Sequence, residues 1–165
     1  MPEKTSSKSN FERMLGLVDE VFASRNDPEQ LDVNEAVINR LQRIHPACVS
    51  EYQEGNGPLV WVLIFPSTTD LMQDFVSARI SEKELFEQTP EKGPYTSLYL
   101  CSALVLPEHR HKGLCTSLSV QAVQAICREN PIQALFVWPF SKAGERLAEQ
   151  IAHSSGLKLY KRASL

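Results

Sequence analysis

The chain lacks several features that would assign it to a specialised class of protein. None of its apolar runs approaches the ~20 residues that a helix needs to cross a bilayer. A formal charge of −3 over 165 residues argues against general binding to nucleic acid or to a membrane surface. The chain also has no internal repeat and no low-complexity linker. Its length therefore predicts one domain, residues 1–165, with its own hydrophobic core.

Cysteine is also scarce, and the four cysteines are not spaced like metal ligands or like a disulfide framework. Three of them lie in apolar runs that are typical of core strands or helices. This pattern predicts reduced thiols in a cytoplasmic protein that holds no metal ion. Residues 1–10 are polar and contain no apolar stretch, so we expect a flexible leader there rather than a signal peptide.

What the chain does contain is a succession of helix and strand patterns that predicts a mixed α/β fold. Capping boxes at Ser9-x-x-Glu12 and Asp32-x-x-Glu35 predict two N-terminal helices, with a break at Asp27-Pro28. Two strands follow, over 47–53 and 59–65, and a tight turn joins them. A central strand over 95–106, covered on both faces, precedes a helix from about 116. The chain then continues with a strand over 132–140, a helix from about 141 that ends at 156, and a strand over 157–161.

The most informative stretch is 110–115, Arg-His-Lys-Gly-Leu-Cys, between the central strand and the next helix. A basic turn that opens a helix directs backbone N–H groups and the positive end of the helix dipole at an anion. Gly113 has no Cβ, so a phosphate can approach the main chain closely, or the residue can take a positive φ. Arg110 and Lys112 add positive charge. The turn therefore predicts a ligand that carries a diphosphate group.

Residues 105–115, Val-Leu-Pro-Glu-His-Arg-His-Lys-Gly-Leu-Cys, resemble the acyl-CoA motif of the GNAT N-acetyltransferase superfamily. In that motif a strand and Pro-Glu precede R-x-x-G-x-G/A and a helix. Arg110 and Gly113 are in register, and Cys115 stands where the family usually has Gly or Ala. A second, weaker resemblance in the last predicted helix has Glu145 in place of an Asn and Ala152 in place of a Tyr.

The resemblance implies a central, mostly antiparallel, splayed sheet flanked by helices. It also implies transfer of an acetyl group from acetyl-CoA, the co-substrate, to the primary amine of a small molecule or peptide. A backbone N–H of Leu104 or Val105 would polarise the thioester carbonyl. The residues implied to contact acetyl-CoA are Leu104, Val105, Arg110, His111, Lys112, Gly113, Leu114 and Cys115.

The sequence assigns neither a general base nor a general acid. The family's tyrosine, which protonates the leaving thiolate, is missing at Ala152, and residues 95–106 contain no carboxylate. Candidates for the base are Glu51 and Glu54, which could instead form a solvated strand edge. Candidates that could replace the tyrosine as proton donor are Cys115, Ser141 and His153.

Residues 67–94 form a long connection between two predicted strands. Ser67-Thr68-Thr69-Asp70 and Ser81-x-x-Glu84 match helix N-caps, so we expect a helical insertion there. Two roles are equally consistent with it: a wall over the acceptor end of the cleft, or a structural addition that could mediate a homodimer contact.

Two other interpretations of the whole chain stay open. It could be a catalytically silent CoA-binding module, which the missing tyrosine and missing strand carboxylate favour. It could also be an unrelated α/β domain that binds another phosphate ligand or only a protein partner.

Overall fold

A five-stranded sheet with its strands in chain order forms the centre of the protein in the computed structural model, which describes residues 9–25 and 29–163. The strands are β1 (Val49–Gln53), β2 (Pro58–Ser67), β3 (Ser97–Val105), β4 (Ala134–Val137) and β5 (Lys158–Lys161). β1 pairs with β2 and β2 with β3 in antiparallel fashion, whereas β3–β4 and β4–β5 are parallel. The predicted α/β class is confirmed. The sheet is mixed rather than mostly antiparallel, because a helical crossover precedes each of the last two strands.

Helices flank this sheet. They are α1 (Asn10–Arg25), α2 (Glu35–Ile44), α3 (Thr69–Val76), α4 (Glu82–Gln88), α5 (Leu114–Cys127) and α6 (Lys142–Ser155). None of the helices in the described ranges is long and apolar enough to pass through a bilayer. The helices α5 and α6 each follow a strand and run back along the sheet, so they lie side by side and roughly parallel to one another.

Most of the predicted helix caps are confirmed. The Ser9 and Glu12 side chains bond each other's backbone N–H groups at the start of α1. Ser81 and Glu84 form the same capping box on α4. The side chain of Thr68 accepts the Leu71 N–H, so the predicted cap before α3 is also present. These motifs connect residues three positions apart, which is why the sequence predicts them well.

The cap of α2 was predicted at Asp32 and is wrong by two residues. Asn34 is the N-cap, with an extended backbone and a side chain that accepts the Val37 N–H at 3.0 Å. Just before this cap, the backbone of Leu31 is held by another element, because its N–H donates to the buried carboxylate of Glu82 in α4. Asp27-Pro28 and most of the predicted leader lie outside the described residues, and Asn10 already belongs to α1.

The aromatic core combines the sheet with the insertion helices. The ring of Phe75 in α3 meets those of Tyr99 and Phe136 edge-on, with centroids 5.1 and 5.9 Å apart. Phe136 and Trp138 are buried, as is usual for large aromatic side chains. Phe140 departs from this rule because it is 39% exposed, and Trp61 is only partly buried. Phe140 follows β4, where the chain has already left the sheet.

Candidate functional site

β3 and β4 pair over only a short stretch, and this leaves part of β3 open. Register runs from Ser97 opposite Ala134 to Leu100 opposite Val137, where β4 ends. β3 continues to Val105 with half-buried side chains, so the prediction of a strand covered on both faces holds only for its first half. Within the described residues, no strand pairs with the β4-facing edge of 101–105. An open edge of this kind offers unpaired backbone groups to a ligand.

An irregularity in β3 lies where the two strands part. Leu63 of β2 is opposite Ser102, and the next residue, Ile64, is opposite Leu100. Cys101 is therefore an extra residue in β3, a β-bulge. Bulges bend a strand and increase its local twist. The bulge follows directly after Leu100, the residue of β3 at which pairing with β4 stops.

The basic turn follows β3 directly. A 3-10 turn, Pro107–His109, leads into residues 110–113, and two of these have a left-handed backbone: His111 at φ +65° and Gly113 at φ +75°. The conformation predicted as one option for Gly113 is therefore confirmed. A Cβ added at Gly113 would meet nothing within 4 Å, so the space beside this residue is open.

Gly113 is also the N-cap of α5, and no side chain caps this end of the helix. The first N–H groups of a helix have no partner within the helix itself. At α5 they face the basic turn, since Leu114 and Cys115 are the first two residues of the helix. The arrangement is suited to an anion, because both the N–H groups and the helix dipole favour negative charge there.

The carboxylate nearest to the turn in sequence is neutralised by an ion pair. Arg13 in α1 binds both carboxylate oxygens of Glu108 at 2.6 Å. This bond lowers the pKa of Glu108 to about 2. Arg110 has no carboxylate within 4.0 Å among the described side chains, and Lys112 contacts only the ring of His109. The turn therefore keeps its net positive charge.

Beside the turn, α5 and α6 form the two sides of an open surface groove of about 830 Å³. Gly113 is at one end, and Arg146 and His153 lie along the α6 wall. A hydrogen bond of 3.1 Å from the Thr116 hydroxyl to Gln150 links the two walls. The groove is open to solvent, so a ligand that binds there would be only partly buried.

The catalytic candidates do not come together. Ser141 is the N-cap of α6 and accepts the Gly144 N–H, so its hydroxyl already has a structural role. Cys115 is half-buried, and burial raises the pKa of its thiol to about 11, which makes it a weak proton donor. His153 is exposed on the wall of the groove.

Of the two glutamate candidates, only Glu51 lines up with the open part of β3. Register places Glu51 opposite Trp61 and Trp61 opposite Leu104, so the three residues form one row across β1, β2 and β3. Directly opposite residues share a face of the sheet. Glu51 accepts the Trp61 indole N–H at 2.6 Å. Glu54 lies in the turn after β1 and accepts the Tyr52 hydroxyl at 3.1 Å.

Patterns in the sequence did not indicate a buried carboxylate that lies next to the bulge. Glu82 is 2% exposed, and its carboxylate accepts the Leu31 N–H at 2.6 Å and the Tyr99 hydroxyl. The Cys101 thiol is 4.0 Å away. A buried carboxylate needs such donors to offset its lost hydration. The only local signal was its place after the Ser81 cap, which indicates an acidic first turn and says nothing about burial.

Comparison of the chain with protein-family models, curated proteins and solved structures finds no match in any of the three. The resemblance to the GNAT superfamily therefore stays a prediction from the sequence motifs.

Proposed function

We propose that this chain binds an acyl-CoA and transfers the acyl group, most simply acetyl, to the primary amine of a small molecule or peptide. The supporting observation is that three features meet at one place: the uncapped start of α5 with its basic turn, the open edge of 101–105, and the groove beside Gly113. The turn suits the diphosphate of CoA, the open strand edge suits its extended pantetheine arm, and the groove suits its nucleotide. The four free thiols suit a cytoplasmic setting.

The chemistry then follows from the backbone. The diphosphate binds the first N–H groups of α5, with Arg110 and Lys112 beside it. The pantetheine arm runs along the open edge of β3, where the N–H of Leu104 or Val105 polarises the thioester carbonyl. A neutral amine attacks that carbon, the C–N bond forms, and the C–S bond breaks. The CoA thiolate leaves without needing full proton transfer from a side chain, and the proton that the attacking nitrogen loses passes through water to the thiolate.

The amine must lose a proton before it attacks. An alkyl ammonium has a pKa of about 10.4, so deprotonation at pH 7 costs about 4–5 kcal/mol. Glu51 shares a row with Leu104 and is exposed to solvent, roughly 9–10 Å from β3 across two strand spacings. At this distance Glu51 would accept the proton through water.

Titration calorimetry with acetyl-CoA and with ADP tests the binding step. We expect saturable binding of acetyl-CoA, and weaker binding of ADP through the same turn. Failure of the folded protein to bind either ligand would contradict the proposal and favour an unrelated phosphate-binding or partner-binding domain.

A second candidate function is CoA binding without catalysis. The dispersed positions of Glu51, Ser141 and His153 favour it, because general acid–base catalysis needs its groups within reach of one reacting atom. Release of free CoA thiol from acetyl-CoA, measured with a panel of primary amines, separates the two functions. Amine-dependent release supports the transferase, and tight binding with no release supports the silent module.

A further inference from the structure

The groove between α5 and α6 has a direction that follows from the two helices. Both run parallel, and Thr116 in the first turn of α5 bonds Gln150 in the middle of α6. Arg146 is one turn before Gln150, so it lies toward the Gly113 end of the groove. His153 is about one turn after Gln150 and lies toward Val120. The groove thus starts at the proposed diphosphate turn and extends away from it along α6.

The α6 wall of this groove is more basic than its sequence indicates. Glu149 also lines the groove, but Lys161 of β5 holds its carboxylate at 2.6 Å and that of Glu145 at 2.9 Å. This contact draws the two negative charges of α6 toward β5. Arg146 has no carboxylate within 4.0 Å among the described side chains, so its charge is not compensated.

Uncompensated arginines are few in this protein. Among the arginines whose side chains are described, most pair with a carboxylate, as Arg13 does with Glu108 and Arg79 with Asp74. The exceptions are Arg110, Arg128 and Arg146, and two of these three border the turn and the groove. An exposed guanidinium beside an anion turn, with no partner of its own, is suited to bidentate phosphate recognition.

We propose that the groove holds the nucleotide end of CoA and that Arg146 binds the phosphate on its ribose. This inference rests on the proposed function, because it assumes that the diphosphate lies on the turn. CoA carries a phosphate on the adenosine ribose, about one sugar away from the diphosphate, and Arg146 lies at the corresponding end of the groove. The protein would then distinguish CoA from dephospho-CoA, which lacks only this group.

Calorimetry with acetyl-CoA and acetyl-dephospho-CoA on two variants tests the assignment. We expect the unmodified chain to bind acetyl-CoA at least tenfold more tightly than the dephospho form. Arg146→Gln should lose about tenfold for acetyl-CoA and retain its affinity for acetyl-dephospho-CoA. Arg128→Gln is the matched control, since Arg128 is exposed and unpaired at the far end of α5, and it should bind both ligands normally.

Equal losses for both ligands in Arg146→Gln would overturn the assignment, because Arg146 would then contact the diphosphate. An unchanged affinity would overturn it as well. In both cases the proposed function stands, since acetyl-CoA still binds the unmodified chain. If the unmodified chain binds neither ligand, the proposed function and this inference fail together. Circular dichroism of each variant confirms that the fold is kept.

Discussion

Arg13 and Glu108 are 95 residues apart in sequence and form a two-pronged ion pair, with both N···O distances at 2.6 Å. The pair joins α1 to the 3-10 turn, Pro107–His109, that connects β3 with the basic turn. It has an electrostatic consequence at the site. Glu108 is the acidic residue nearest to Arg110 in sequence, and its charge is compensated by Arg13, so the turn keeps its net positive charge.

The ion pair predicts the acid titration of Glu108. Its pKa is lowered from about 4.5 to about 2, chiefly by the hydrogen bond from Arg13. A carboxylate whose folded pKa is depressed stabilises the fold fully above its unfolded pKa and loses this contribution as the pH falls toward the folded value. The stability difference between the unmodified chain and Glu108→Gln should therefore be constant above about pH 5 and shrink toward pH 2.

NMR titration of the Glu108 carboxyl measures this shift directly. In Arg13→Gln we expect the midpoint to return toward 4.5. Arg79→Gln, which breaks the exposed pair with Asp74, is the control and should leave the Glu108 titration unchanged. An unaltered Glu108 midpoint in Arg13→Gln would show that Arg13 does not cause the shift.

Gly113→Glu should weaken acetyl-CoA binding at least tenfold while the chain stays folded. The new carboxylate would lie at the mouth of the groove, close to the proposed diphosphate, where like charges repel. Gly113 also has φ +75°, so any side chain there costs about 1 kcal/mol of backbone strain.

Two variants separate charge from strain in this test. The glutamine side chain in Gly113→Gln has nearly the same shape as glutamate but no charge, so this variant should bind acetyl-CoA more tightly than Gly113→Glu. Gly156→Glu meets the same strain at φ +72° at the C-terminus of α6 and should retain full affinity. Unchanged acetyl-CoA affinity in a folded Gly113→Glu protein would remove the diphosphate from this turn.

Glu51→Gln should lower the rate of acetyl transfer at least tenfold at pH 7 with little change in acetyl-CoA affinity. The row Glu51, Trp61 and Leu104 places this carboxylate on the same face of the sheet as the side chain of Leu104. The matched control is Glu54→Gln, because Glu54 is also exposed but lies in the hairpin turn. Steady-state rates across pH 6–9 provide the measurement. Equal rates for the two variants would exclude Glu51 as the base.

Phe75→Ala should destabilise the fold by about 3–5 kcal/mol, the usual cost of removing a buried aromatic ring. Phe75 is fully buried against Tyr99 and Phe136, although it comes from the insertion over 67–94. Phe140→Ala is the control, since that ring is 39% exposed, and it should cost much less. Urea unfolding measures the stability of both variants.

Replacing 67–94 by a short turn would open the core, so we expect that variant to unfold rather than to lose only its acceptor pocket.

Local sequence patterns determined much of this fold. The capping boxes at Ser9 and Ser81, the glycine that ends α6 and the hairpin of β1 and β2 all depend on contacts within about four residues. The basic turn with a glycine at positive φ is local in the same sense. Such features can be predicted because the residues that form them are neighbours in the chain.

Tertiary structure decided the rest, because it depends on which distant residues meet. No sequence pattern indicates that Arg13 binds Glu108, that Lys161 pairs with both Glu145 and Glu149, or that Glu82 is buried beside the bulge of β3. The early end of β4, which opens one edge of β3, is likewise a matter of how the strands pair. The sequence determined a basic turn at the start of a helix, and the packing of distant elements around it decided its net charge, its groove and its open strand edge.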